Sequence, residues 1–183
     1  MFDETMNPWH RLSTREVYAN NWINVREDKV VRPDGEPGIY GVVHYKNIAV
    51  GILPVEDDGV YLVGQYRYVL DQYSWEIPEG GCPEGEDILL GAQRELEEET
   101  GLRAAKWELM VRAHLSNSVS DEMAVLFLAT ELTQGEHHPE GTEQLNIRRV
   151  PFQEALRMAL SGEITDAMSL LAIIHYQLRI SSG

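Results

Sequence analysis

Gly80-Gly81-Cys82-Pro83-Glu84-Gly85-Glu86, then Asp87 to Gln93, then Arg94-Glu95-Leu96-Glu97-Glu98-Glu99-Thr100-Gly101-Leu102, is the stretch that decides the fold. Its first part is rich in Gly and Pro, the composition of a loop that bends tightly or lets backbone approach a ligand. Its second part predicts a helix, with Asp87 able to cap the start and Gly101 standing where a helix stops. Leu89, Ala92 and Leu96 recur at helical spacing and can face a core. Glu95, Glu98 and Glu99 fall at i, i+3 and i+4 and share a different face.

Three carboxylates at that spacing repel one another, and they lie near the helix C-terminus, where the macrodipole disfavours negative charge. Something positive must compensate. An oxygen-only donor set suits a hard cation such as Mg²⁺ or Mn²⁺, and Mg²⁺ commonly binds substrate phosphate oxygens as well. The local chemistry therefore points to metal-assisted attack on a phosphoester or pyrophosphate. The plain alternative is a solvated acidic helix face. That alternative must also account for the glycine-rich loop and for the lone Arg94, which can reach Glu86 or Glu98 and hold the carboxylates in place.

A chain of 183 residues suits one well-buried domain with a small appendage. Apolar residues make up 43%, with no run long enough to span a membrane, and Met1-Phe2-Asp3-Glu4 lacks signal-peptide character. The single cysteine, Cys82, excludes an internal disulfide and fits a reducing cytoplasm. Cys82 has no matching Cys/His arrangement, so a small loop residue is favoured over a reactive thiol. A formal net charge of -15 argues against nucleic-acid partners and repels anionic substrates at long range.

Along the chain, Met1 to Thr14 is expected to be a loosely held lead-in. Arg15 to Asp28 suggests strands, and Lys29-Val30-Val31-Arg32 another short one. Pro33 to Gly38 is turn chemistry, and Ile39 to Tyr45 returns as a strand. Ile48 to Val55 and Val60 to Tyr68, separated by Glu56-Asp57-Asp58-Gly59, predict a hairpin. Trp75 to Glu79 leads straight into the glycine-rich loop. Ala104 to His114 and Met123 to Leu132 predict further strands, and Pro151 to Ser161 and Asp166 to Arg179 predict helices. The expected organisation is a β-sheet region over residues 1–46 and a catalytic domain over 47–183.

The Gly80–Leu102 stretch resembles the Nudix box, G-x5-E-x7-R-E-U-x-E-E-x-G-U with U aliphatic. Gly80, Glu86, Arg94, Glu95, Leu96, Glu98, Glu99, Gly101 and Leu102 fill every fixed position. Val17 to Trp22, Pro33-Asp34-Gly35, Val63 to Tyr68 and Trp75 to Gly81 are similar to the ADP-ribose pyrophosphatase group of that family, which also acts on nucleoside diphosphate sugars. The resemblance implies an α/β fold: a Nudix α/β/α sandwich with a mixed sheet, plus a small N-terminal antiparallel β-sheet that joins a homodimer. It also implies a Mg²⁺- or Mn²⁺-dependent split into a nucleoside monophosphate and a sugar phosphate; the charge and the lack of a long apolar run point to no nucleic-acid or membrane partner.

The resemblance also implies roles for particular residues. Glu95, Glu98 and Glu99 would hold the metal, joined by the backbone carbonyl of Glu79, while Glu86 and Arg94 orient the site. Arg67 would contact the pyrophosphate or the terminal sugar. Trp22 would stack on the nucleobase, with a half-buried strand position as the alternative. Tyr66, Tyr68 and Tyr73 are expected to pack, one of them lining the pocket. The general base would lie on the late loop, Glu140 first and Glu143 second; adjacent His137 and His138 are read as incidental. ADP-ribose-specific members carry a Ser-Pro-Gly-x-x-Asp-Glu segment, where this chain has Ser116-Asn117-Ser118-Val119-Ser120-Asp121-Glu122. The departure favours a broader range of nucleoside diphosphate sugars. Asp121 and Glu122 still match, as metal- or sugar-binding residues or as a capped loop end.

Overall fold

The structure is a computed structural model describing residues 6–135 and 145–182. Glu140, Glu143, His137 and His138 lie outside the described residues. The chain forms two compact units. One takes the N-terminal residues up to Asn47 together with His114–Glu122; the other takes Ile48–Ala113 and the residues from Met123 on. The segment 114–122 thus belongs with the N-terminal strands rather than with the residues on either side of it.

The first unit is a three-stranded antiparallel sheet of β1 (His10–Ala19), β2 (Ile23–Val31) and β3 (Pro37–Tyr45), with β2 central. Two expectations are corrected here. The lead-in is a strand from His10 onward, and Lys29 to Val31 continues β2 instead of forming a separate strand. The register explains both: β2 pairs with β1 from Asn24 to Val31 and with β3 along its whole length, so no break is needed. The β1–β2 turn closes on Asn20, whose Oδ1 accepts the amides of Trp22 and Ile23, each at 2.8 Å. Residues 116–121 lie against β3: the Val43 amide donates to the Val119 carbonyl at 2.8 Å, and the Tyr40 hydroxyl to that of Ser118 at 2.8 Å.

The second unit is built on a mixed sheet. β4 (Asn47–Glu56) and β5 (Gly59–Arg67) form the expected antiparallel hairpin. β4 also runs parallel to β9 (Met123–Gln134), which neighbours β8 (Leu102–His114), while β10 (Asn146–Pro151) pairs with the other side of β5. β6 (Gln72–Glu76) pairs with β5, and β7 (Glu79–Pro83) with β4. β7 corrects another expectation, because the first residues of the glycine-rich stretch are a strand: backbone pairing with β4 outweighs their low strand propensity.

Residues on the two faces of the sheet alternate. Val50 and Ile52 of β4 and Val125 and Phe127 of β9 form one buried cluster with Ala92 and Leu96 of α1 (Ile88–Thr100). On the other face, Leu126 and Met168 crowd Gly51, which places α3 (Ala167–Ser181) there. α2 (Phe152–Ser161) packs against α3, with Phe152 edge-on to Tyr176 at 4.9 Å. The result is α1 and α3 on opposite faces of one sheet. No helix among the described residues is long and apolar enough to cross a membrane.

Ser169 ties α3 to the backbone between β6 and β7. It is fully buried, and its hydroxyl accepts the Ile77 amide at 2.8 Å. Ser169→Ala leaves that amide without a partner, which costs about 1–3 kcal/mol. A free energy of unfolding in urea lowered by that amount is expected; an unchanged value would contradict the assigned bond.

Candidate active site

α1 starts and stops where its sequence dictates. The Asp87 carboxylate accepts the amides of Leu89 at 2.9 Å and Leu90 at 3.1 Å. Gly101 closes the helix at φ 69°, a left-handed conformation that favours glycine, and its amide donates to the Glu97 carbonyl at 2.8 Å. With the ends set and Ala92 and Leu96 turned into the core, Glu95 and Glu99 face β7, and Glu98 meets Arg94.

Arg94 stands at the centre of these groups. Its Nη1 donates to Glu95 at 2.7 Å and to Glu98 at 3.0 Å, while Nη2 donates to the Gly81 carbonyl at 3.0 Å and to Glu86 at 3.4 Å. Burial opposes its charge, but the surrounding carboxylates hold its pKa above the ordinary arginine value. Glu99 is buried and accepts the Glu79 amide at 2.9 Å. Glu95 lies so close over Gly80 that a Cβ there would fall 2.2 Å from its carboxyl carbon. Glu95 and Glu99 thus converge on two consecutive backbone units of β7, and Glu98 shares one arginine nitrogen with Glu95.

Among the described residues, no three His, Cys, Asp or Glu side chains already surround a common point as metal ligands; Arg94 bridges Glu95 and Glu98 instead. The donor set nevertheless fits a hard dication: it is all oxygen, and it converges on the backbone beside the Glu79 carbonyl.

The side chain of Glu79 turns elsewhere. Its Oε1 accepts Nη2 of Arg67 at 2.7 Å, and its Oε2 is buried without a hydrogen-bond partner. Burial, followed by the nearby charges of Asp166 and Glu76, pushes this carboxyl well above the usual range. Arg67 also donates through Nε to both oxygens of the buried Glu76, at 2.9 and 3.0 Å. These side chains line a cavity of about 540 Å³ within the second unit.

Tyr66 and Tyr68 line the same cavity and are 58% and 92% exposed, so they are not the packing residues expected. Tyr73 is half exposed and meets Trp75 edge-on at 5.6 Å. Trp22, at 66% exposed, sits in the β1–β2 turn and not at a half-buried strand position. Asp121 behaves as a loop cap: it meets His44 Nδ1 at 2.6 Å and accepts the Tyr45 amide at 3.0 Å. Burial pushes its carboxyl up, yet these bonds hold it below the usual range. Glu122 is half buried, and its carbonyl accepts the Leu115 amide at 3.2 Å. Cys82 is fully buried in the core, and burial followed by the Glu86 charge raises its thiol pKa, so it is no nucleophile.

The family profile described as the NUDIX domain matches residues 45–169. The chain belongs to the Nudix family. A second profile, the nucleoside diphosphate sugar hydrolase N-terminal domain, matches residues 9–43. An ADP-ribose pyrophosphatase of Bacillus subtilis is 32% identical over 171 residues, covering 92% of this Nudix chain and 92% of the relative. A second enzyme of that name, from Mycobacterium tuberculosis, is 31% identical over 169 residues, covering 89% and 80%. Among solved structures, an ADP compounds hydrolase superposes with a TM-score of 0.85 at 20% identity over 98% of each chain, a likeness of fold.

In this Nudix site the close approach of Glu95 to Gly80 leaves no space for a methyl group. Gly80→Ala is expected to displace the carboxylate and lower turnover at least about tenfold, with an unchanged circular dichroism spectrum. Wild-type turnover in that variant would show that Glu95's position is immaterial.

Proposed function

We propose that this protein hydrolyses the pyrophosphate bond of nucleoside diphosphate sugars of the ADP-ribose and ADP-glucose type, yielding a nucleoside monophosphate and a sugar phosphate. The observation that carries it is the convergence of Glu95 and Glu99 on Glu79 and Gly80, with Arg94 binding Glu95 and Glu98. The family matches over residues 9–43 and 45–169 support the same activity. Asn117 and Ser118, where a proline and glycine mark ADP-ribose specialists, favour a broader range of nucleoside diphosphate sugars, with GDP-mannose hydrolysis as the alternative reading.

Glu95, Glu98, Glu99 and the Glu79 carbonyl would hold Mg²⁺ or Mn²⁺. Such an ion, when bound, neutralises charge on the phosphoryl oxygens and makes a water more acidic. Arg94 orients Glu95 and Glu98, and the Glu79 amide orients Glu99. Glu140 takes the proton of the attacking water, with Glu143 as second choice. Trp22 stacks on the base, while Arg67 and Glu122 bind the rest of the substrate. The exposed Leu12, Val17, Tyr18 and Ile39 on the N-terminal sheet support a homodimer, and the lone buried Cys82 fits a reducing cytoplasm.

A phosphatase-coupled phosphate-release assay over ADP-ribose, ADP-glucose, UDP-glucose and GDP-mannose tests the activity. Cleavage that needs Mg²⁺ or Mn²⁺, stops with chelator and falls at least about a hundredfold in Glu98→Gln is expected. Chelator-resistant cleavage, or none of the four substrates cleaved, would sink it. Glu140→Gln is expected to lose turnover and keep substrate binding; near wild-type turnover would remove Glu140 as the base.

A further inference from the structure

The cavity beside Arg67 carries a charge balance that a simple anion pocket would not have. Arg67 is the cation in its lining, and it is already engaged by two carboxylates: Nη2 and Nε bind Glu76, and Nη2 also binds Glu79 at 2.7 Å. A third carboxylate, Asp166, lines the same space while capping α3 through the Ser169 amide at 2.7 Å. Glu76 and Asp166 alone outnumber the guanidinium. Ser74, Gln65 and Thr165 add neutral polar groups, and Val69 and Leu70 give the lining an apolar side. At about 540 Å³ the cavity has ample room for one sugar ring.

Glu79 joins this cavity to the carboxylate helix. Its amide binds Glu99 and its side chain lines the cavity, so a diphosphate held at the helix has the cavity one residue away. Resting on the proposed activity, we infer that this cavity takes the sugar half of the substrate and selects for an uncharged, hydroxyl-bearing sugar against an acidic one. Hydroxyl groups donate to the carboxylates of the lining. A carboxylate on the sugar faces Glu76 and Asp166, and the one cation among the described lining residues, Arg67, already shares its charge with Glu76 and Glu79. Asp166 and Glu76 are then specificity-determining residues.

The test compares each nucleoside diphosphate sugar that is cleaved with its counterpart bearing one carboxylate: ADP-ribose with ADP-ribonate, ADP-glucose with ADP-glucuronate. A kcat/KM at least about tenfold higher for the neutral member is expected. Asp166→Asn keeps a capping side chain and is expected to narrow the ratio at least about threefold by raising kcat/KM for the acid. Glu76→Gln is a second variant should the first fold poorly. Asp58→Asn, at a side chain 87% exposed on the β4–β5 turn, changes the net charge equally away from the cavity and is expected to leave the ratio alone. Equal cleavage of both members would overturn this inference alone, as would a ratio that shifts as much in Asp58→Asn as in the cavity variants. Cleavage of no nucleoside diphosphate sugar would overturn the activity itself, and this inference with it.

Discussion

Arg94 holds together a helix that its own charges would drive apart. Glu95, Glu98 and Glu99 crowd the second half of α1, where both mutual repulsion and the helix dipole work against them. The guanidinium answers Glu95, Glu98 and Glu86 and at the same time grips the Gly81 carbonyl. That last bond fastens the helix to β7, so the same side chain that balances the charges also sets their distance from the strand. A lysine would carry the charge but not the planar fork that reaches a carbonyl and three carboxylates together.

β7 owes its usefulness to where Glu79 sits. The amide of Glu79 secures Glu99, and its carboxylate reaches Arg67 beside the cavity. A single residue therefore links the acidic helix to the space where the rest of a substrate would lie. The orphaned oxygen of Glu79 and its raised pKa are the energetic cost of that placement.

Much of this was legible in the sequence. Asp87 and Gly101 bounded α1 because capping is local chemistry, and the glutamate spacing placed three carboxylates on one face before any fold was known. The β4–β5 hairpin was equally plain from its apolar runs and its turn. What stayed hidden depended on pairing over distance. β7 is a strand because β4 lies beside it, and β1 begins at His10 because β2 continues to Val31. The engagement of Arg67 by Glu76 and Glu79 was also out of reach, since nothing in the residue order tells which side of a short strand turns inward. The tyrosines around the β5–β6 hairpin were expected to pack, yet Tyr66 and Tyr68 are turned out towards solvent.

The parallel pairing of β4 with β9 has a consequence for how the chain reaches this state. Ala49 aligns with Ala124 and Pro54 with Ala129, so the centre of the larger sheet joins residues that emerge far apart during synthesis. Closing such a long loop costs chain entropy before any contact repays it. On the ribosome, the hairpin and α1 can form early, but β4 waits without its parallel neighbour until β9 has been made. In that interval the unpaired side of β4 is the part of the nascent chain most open to mispairing, and the speed of elongation through β8 and β9 sets how long it stays so.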